Sequence, residues 1–244
     1  MYAIYALRMS AIPKSIDEVT TSWLQQQLQP AFEDFSVLNV DHCKEQHGLL
    51  STVALATIKT KTGETKPVFI KIMPNSFVHK TIIGNNFMDL TEVEFYRSLV
   101  PKLERFQQEK NVQVLDLNIM APKFYAGDVS MENEDRRFFL ILENISSTHK
   151  MLDLNQGLTA NQIKSCLQEI AKFHGLTLAY AHFNGPWSKA GDTNYLSDFV
   201  DSFRTNEQHQ GFMDMNFQNL HRDMKAEEGF AEAAAALGKI RKKV

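Results

Sequence analysis

Val68-Phe69-Ile70-Lys71-Ile72-Met73 is an apolar run with a single lysine inside it. Its β-branched and aromatic residues predict a short strand, closed by Pro74. A lysine set there packs its stem among apolar neighbours and turns its ammonium into a cleft. About twenty residues on, residues 87–105 carry helical periodicity. Leu90, Val93, Phe95, Tyr96 and Leu99 are the apolar positions, Glu92 lies among them, and Pro101 is expected to break the pattern. Farther along, Phe138-Phe139-Leu140-Ile141-Leu142 reads as a fully apolar strand that ends in Glu143-Asn144-Ile145.

The surroundings extend this pattern. Residues 13–28 read as a helix capped by Ser15 or Asp17, with Ile16, Val19, Trp23 and Leu24 as its apolar stripe. Residues 35–40 and 53–60 alternate as strands, with a glycine-containing turn at residues 46–52 between them. Lys61-Thr62-Gly63-Glu64 is a hairpin turn in which glycine supplies the positive φ. Residues 122–127 and 137–142 complete the strands. The first 145 residues are therefore mostly antiparallel sheet plus one inserted helix, an α+β pattern. Beyond a connector, Thr159-Ala160-Asn161-Gln162 opens a long helix. Its expected apolar face is Ile163, Leu167, Ile170, Phe173 and Leu178, with His174 buried beside it. The chain from Asn194 onward is weakly helical, and residues 226–244 form an alanine-rich helix. The organisation predicted is a small lobe over residues 1–146 and a partial helical lobe over residues 147–244.

Composition narrows the classes of function. The chain has 244 residues, 43% of them hydrophobic, and a net charge of −3. It carries no basic stripe of the kind that meets nucleic-acid phosphates. Two cysteines, Cys43 and Cys166, make neither a disulfide framework nor a zinc site by themselves, which fits a reducing, cytoplasmic setting. Every apolar run is interrupted by charges or amides, so no membrane span is expected.

The order strand lysine, helix glutamate, apolar strand with polar end suits a phosphate-binding cleft. Phosphoryl transfer needs a cation on the phosphates and a second group to fix that cation. Lys71 is the candidate cation and Glu92 its partner, with Glu94 as a competitor on a different helix face. Gly48 sits in a turn whose backbone N–H groups suit phosphate oxygens, and Ser51 adds a hydroxyl. The backbone of Glu143 and Ile145 suits a two-point hydrogen bond to a base in an apolar slot. His221-Arg222-Asp223 copies the start of a kinase catalytic loop, but Glu228 stands where that loop has asparagine and no aspartate follows. Asp223 is thus the one weak catalytic candidate, and no metal ligands are identified.

Five of these stretches in order carry a resemblance: Gly48-Leu49-Leu50-Ser51, Val68-Phe69-Ile70-Lys71, Glu92-Val93-Glu94-Phe95-Tyr96, Leu140-Ile141-Leu142-Glu143-Asn144-Ile145 and Ile170-Ala171-Lys172-Phe173-His174. Together they resemble the ecdysteroid kinase-like family, also described as CHK kinase-like, which is similar to aminoglycoside and choline phosphotransferases. The resemblance implies a protein-kinase-like fold and ATP- and magnesium-dependent phosphorylation of a hydroxyl on a small molecule, steroid- or choline-like. By position it implies Lys71 on the phosphates, Glu92 paired with it, Gly48 and Ser51 over the triphosphate, and Glu143 and Ile145 at adenine. Asn144 stands where the family has aspartate, and Leu55 where arginine is common. The family's His-Gly-Asp segment, downstream asparagine and metal-binding aspartate are not found. The expectation is a truncated member, weak or inactive alone, with a non-catalytic pseudokinase or interaction module as the alternative.

Overall fold

The computed structural model describes residues 12–43, 51–85, 87–110, 120–130, 135–149, 157–185, 207–226 and 229–241. Five strands form one antiparallel sheet: β1 (Phe35–His42), β2 (Thr52–Thr60), β3 (Thr65–Ile72), β4 (Phe124–Ser130) and β5 (Arg137–Glu143). Their spatial order is β1-β2-β3-β5-β4. Gly63 makes the β2–β3 turn with φ +85°, its N–H donating to the Thr60 carbonyl at 2.9 Å, as the hairpin reading predicts. The turn expected over residues 46–52 falls largely outside the described residues.

Both faces of the sheet are covered near its centre, which is why β5 is apolar from Phe138 to Leu142. Ala54, Ala56, Ile58, Val68, Ile70, Ile72, Phe139 and Ile141 share one buried cluster with Val19, Leu24 and Leu28 of the N-terminal segment. Trp23 meets Phe139 edge-on at 5.2 Å. The N-terminal helix differs from expectation. A 3₁₀ turn, Ile16–Glu18, precedes a separate α1 (Thr21–Leu28), whose cap is Thr20, accepting from the Trp23 N–H at 3.2 Å. Ser15 makes no capping bond. Val19 is fully buried, and turning it into the core interrupts the helix there.

The opposite face carries Met73, Phe138, Leu140 and Leu142 against Ile83 and Val93. These two residues belong to α2 (Phe77–Asn85), which periodicity did not reveal, and α3 (Met88–Glu94). Pro101 does not break the helical run as expected. A π turn, Phe95–Leu99, leads directly into α4 (Val100–Glu109), with the proline in its first turn. Proline lacks an N–H and its ring crowds the preceding turn; the wider π turn makes room for it.

Helix α5 (Ala160–Asn184) begins where the sequence places it, and Thr159 and Gln162 form a capping box there. Its packed side matches the predicted one only at Phe173. Phe173, Leu176, Ala179 and Tyr180 lie against Leu99, Leu103 and Phe106, whereas Ile163, Leu167, Ile170 and Leu178 are exposed. His174, expected to be buried, is exposed. The aromatic ring of α4 decides the phase: Phe106 contacts Tyr180 at 5.4 Å and Phe183 at 5.9 Å.

The chain divides into two compact units, Met1–Asp192 and Thr193–Val244. In the second, α6 (Glu207–Ala226) packs on α7 (Ala231–Arg241). Gly238 allows the approach, since a Cβ there would stand 3.2 Å from the His221 ring. No helix among the described residues is long and apolar enough to cross a membrane.

Candidate functional site

The site begins with Lys71 on β3. Strand alternation buries Ile70 and Ile72 on the N-terminal side and turns Lys71 toward α3. There its Nζ meets Glu92 Oε1 at 2.7 Å and Oε2 at 2.6 Å. The two side chains are 24% and 33% exposed, so the pair borders solvent and remains open to an anion. Its ammonium also lies 5.9 Å from the centre of the Phe138 ring, which limits how far it swings. Glu94 is no competitor, being bonded to Arg97.

The register places further residues on Lys71's face. Val53 is its direct partner on β2, and Leu55 pairs with Phe69, two residues before the lysine. Phe69 also pairs with Leu142 on β5. Ser51 continues the same alternation and is buried at the head of β2. The result is an apolar platform with one cation at its end.

At the other end of that platform β5 leaves the sheet. The Glu143 N–H is bonded to the Lys123 carbonyl at 2.8 Å, and the Lys123 N–H reaches the Glu143 carboxylate at 3.3 Å. The Ile145 carbonyl closes a turn by accepting from the Thr148 and His149 N–H groups. The Ile145 N–H itself bonds to no other described residue, which leaves a donor at this edge.

A cavity of about 550 Å³ opens beside it, bounded by Tyr96, Glu104, Met120, Glu143, Ile145 and His149. Lys71 and Glu92 do not line this cavity. Tyr96, one turn after Glu92, lines it and connects the two features. Burial, and secondarily the Glu92 carboxylate, push its phenol above the ordinary value. A basic ammonium held by a carboxylate, an apolar platform and an edge with a free N–H together suit a nucleotide: phosphate, base face and base edge.

The family model for ecdysteroid kinase-like proteins matches residues 48–244. The chain belongs to the ecdysteroid kinase-like family. No curated protein and no solved structure matches it.

The residues singled out from the sequence of this ecdysteroid kinase-like chain fare differently. Lys71 and Glu92 are in contact; Ser51 shares their face; Glu143 and Ile145 border the cavity. Gly48 lies outside the described residues. Asp223 stands on α6, in the second unit, exposed and bonded to Arg222 at 3.1 Å, on a regular helix rather than a loop. Three further features escaped the sequence reading. Tyr96 was read as an apolar helix position and part of a motif, not as a lining residue of a cavity. Phe69 was read as strand filler, although two residues before a strand lysine is always the same face. The third is the buried pair Asp89–Arg136, whose members are 47 residues apart and carry no shared local pattern.

Proposed function

We propose that this chain is a kinase-type phosphotransferase that binds ATP on the Lys71 face of the sheet and phosphorylates a hydroxyl of a small molecule, steroid- or choline-like. The single observation that carries the reading is the 2.6 Å contact between Lys71 Nζ and Glu92 on an otherwise apolar face. Residues 1–146 act as the nucleotide-binding lobe and residues 147–244 as part of the helical lobe. The Lys71 ammonium holds phosphate oxygens and Glu92 fixes its direction, so the cation is in place before the phosphate arrives. Leu55 and Phe69 offer the base an apolar face. The Glu143 carbonyl and the Ile145 N–H meet its edge, and Gly48 and Ser51 cover the triphosphate. ATP therefore fits the residues present.

Magnesium is different. Among the described residues no three His, Cys, Asp or Glu side chains converge as a metal would require. The metal belongs to the family's chemistry.

Titration of the full chain with ATP, followed calorimetrically, tests the reading. Binding should appear in the wild type and weaken about tenfold or more in Lys71→Ala, as expected for loss of a charge-assisted bond. Absence of binding, or binding indifferent to that change, removes the nucleotide site.

A second reading is a non-catalytic nucleotide-binding or interaction module. The observation favouring it is Asp223, exposed on a helix and bonded to its neighbour. A missing general base costs on the order of 10²–10⁴ in rate. Phosphoryl transfer to small alcohols or sterols, abolished by Lys71→Ala, excludes this second reading.

A further inference from the structure

We propose that the buried pair Arg136–Asp89 is a positioning clamp that holds Glu92 within reach of Lys71. Asp89 is 1% exposed and Arg136 8%. The guanidinium donates twice to one carboxylate, Nε to Oδ2 at 2.7 Å and Nη2 to Oδ1 at 2.8 Å, a fork that fixes direction as well as distance. Asp89 and Glu92 are three residues apart on α3 and so lie on the same side of one helical turn.

The connectivity makes a closed ring. Arg136 immediately precedes β5, and Leu140 of β5 is the cross-strand partner of Lys71. The two cations thus belong to one sheet and the two carboxylates to one turn of helix. Two ionic ties, one buried and one bordering solvent, join these rigid parts. Phe87 before α3 is left-handed with φ +50°, and a π turn follows it; the fully buried Val93 packs one side of α3, and the Arg136–Asp89 tie holds another. The phase that aims Glu92 at Lys71 is therefore set by the buried tie together with the packed Val93. Removing one partner of such a pair leaves a buried charge uncompensated, and a shift of α3 that relieves it moves Glu92 as well.

The surroundings are shaped to the arginine. Its guanidinium lies 5.6 Å from the centre of the Phe87 ring. Its stem passes Gly84 so closely that a Cβ there would stand 2.8 Å from Cδ. The inference deepens the reading of the Lys71 site given above, but its test needs no nucleotide.

The test is the acylation rate of Lys71 in the full chain, read at that lysine by peptide mass spectrometry with an N-hydroxysuccinimide ester. In the wild type the ammonium is held by both oxygens of Glu92 and reacts slowly. Glu92→Gln sets the scale for release. Asp89→Asn should raise the Lys71 rate toward that scale, by roughly fivefold, as for groups coupled in one network. Leu24→Ala, destabilising but on the opposite face, should leave it at the wild-type rate. Gly84→Ala displaces the arginine stem without removing a charge and should raise it too, and this variant decides the matter if Asp89→Asn does not fold. Lys71 rates at the Leu24→Ala level in folded Asp89→Asn or Gly84→Ala would reduce the pair to ordinary structural glue and overturn the inference. Failure of ATP to bind would leave this result readable, so the two proposals fail separately.

Discussion

Pro67 lies beside Asn144 where β3 and β5 part: its carbonyl accepts the Asn144 N–H at 3.1 Å, and it has no N–H to return. The β3–β5 register ends one step earlier, at Val68 and Glu143. A residue with an N–H at position 67 would complete the pair and carry β5 onward in the sheet. The proline ends the ladder, and the chain turns out at Glu143-Asn144-Ile145. The edge of the candidate cleft therefore owes its position to a residue on the neighbouring strand.

Pro67→Ala should let the ladder grow by one pair. Amide hydrogen exchange should show protection at residue 67 and increased protection at Asn144, with ATP binding weakened if the proposed site is right. An unprotected amide at position 67 would show that the sheet ends there for another reason.

Gly127 on β4 faces crowded ground. A Cβ would meet Phe124 at 3.0 Å and both Leu140 Cδ1 and the Phe139 carbonyl at 3.2 Å. Gly127→Ala should cost about 1–3 kcal/mol, the usual range for overpacking. Urea denaturation measures it; a change within about 0.5 kcal/mol, as at an unconstrained surface position, contradicts the packing.

Alkaline stability follows from Tyr96. Its phenol is pushed above the ordinary 10.0 by burial first and Glu92 second. A raised folded-state value means that the folded state holds its proton more tightly than the unfolded state does. That stabilisation is complete below pH 10, and it is lost as pH climbs from there through the folded value. Tyr125 shifts in the same direction, through burial, then Glu143 and Glu64. Denaturation midpoints measured upward from pH 9, about one unit below the ordinary tyrosine value, should fall less steeply in Tyr96→Phe than in the wild type. Equal slopes would mean that Tyr96 titrates freely.

Two leucines on α5 offer a contrast. Leu176 is 2% exposed and Leu167 is 59% exposed. Leu176→Ala should cost about 2–5 kcal/mol, as for buried leucines, whereas Leu167→Ala should be almost silent. The reverse order in thermal melts would restore the helix face expected from the sequence.

Asp223 is exposed, and its carboxylate is bonded to the adjacent Arg222. Asp223→Asn should change stability by less than about 0.5 kcal/mol and leave ATP binding intact. Loss of a measurable phosphoryl transfer in this variant would instead return Asp223 to the chemistry.

Much of the sheet was legible in the sequence because strand alternation and the Gly63 turn are local signals. The same holds for the start of α5 at Thr159, and for the order of Lys71, Glu92 and Glu143 along the chain. Where the reading went astray, a distant residue decided. Val19 sinks into the core and splits the N-terminal helix. Leu103 and Phe106 of α4 choose which side of α5 is packed, leaving His174 outside. A π turn absorbs Pro101. Periodicity records how a segment repeats, and carries no record of the phase in which two segments meet.

That distinction separates what belongs to the sequence alone from what belongs to the tertiary structure. The sequence by itself determined an α+β chain with a strand lysine, a helix glutamate and a polar exit from an apolar strand. Only the tertiary structure decided that the lysine takes Glu92 rather than Glu94, that Asp89 locks to Arg136, and that Pro67 releases Asn144 from the sheet. Each of these is a contact between segments far apart in the chain. Its geometry depends on strand register and helix rotation, quantities that exist only once the core has packed.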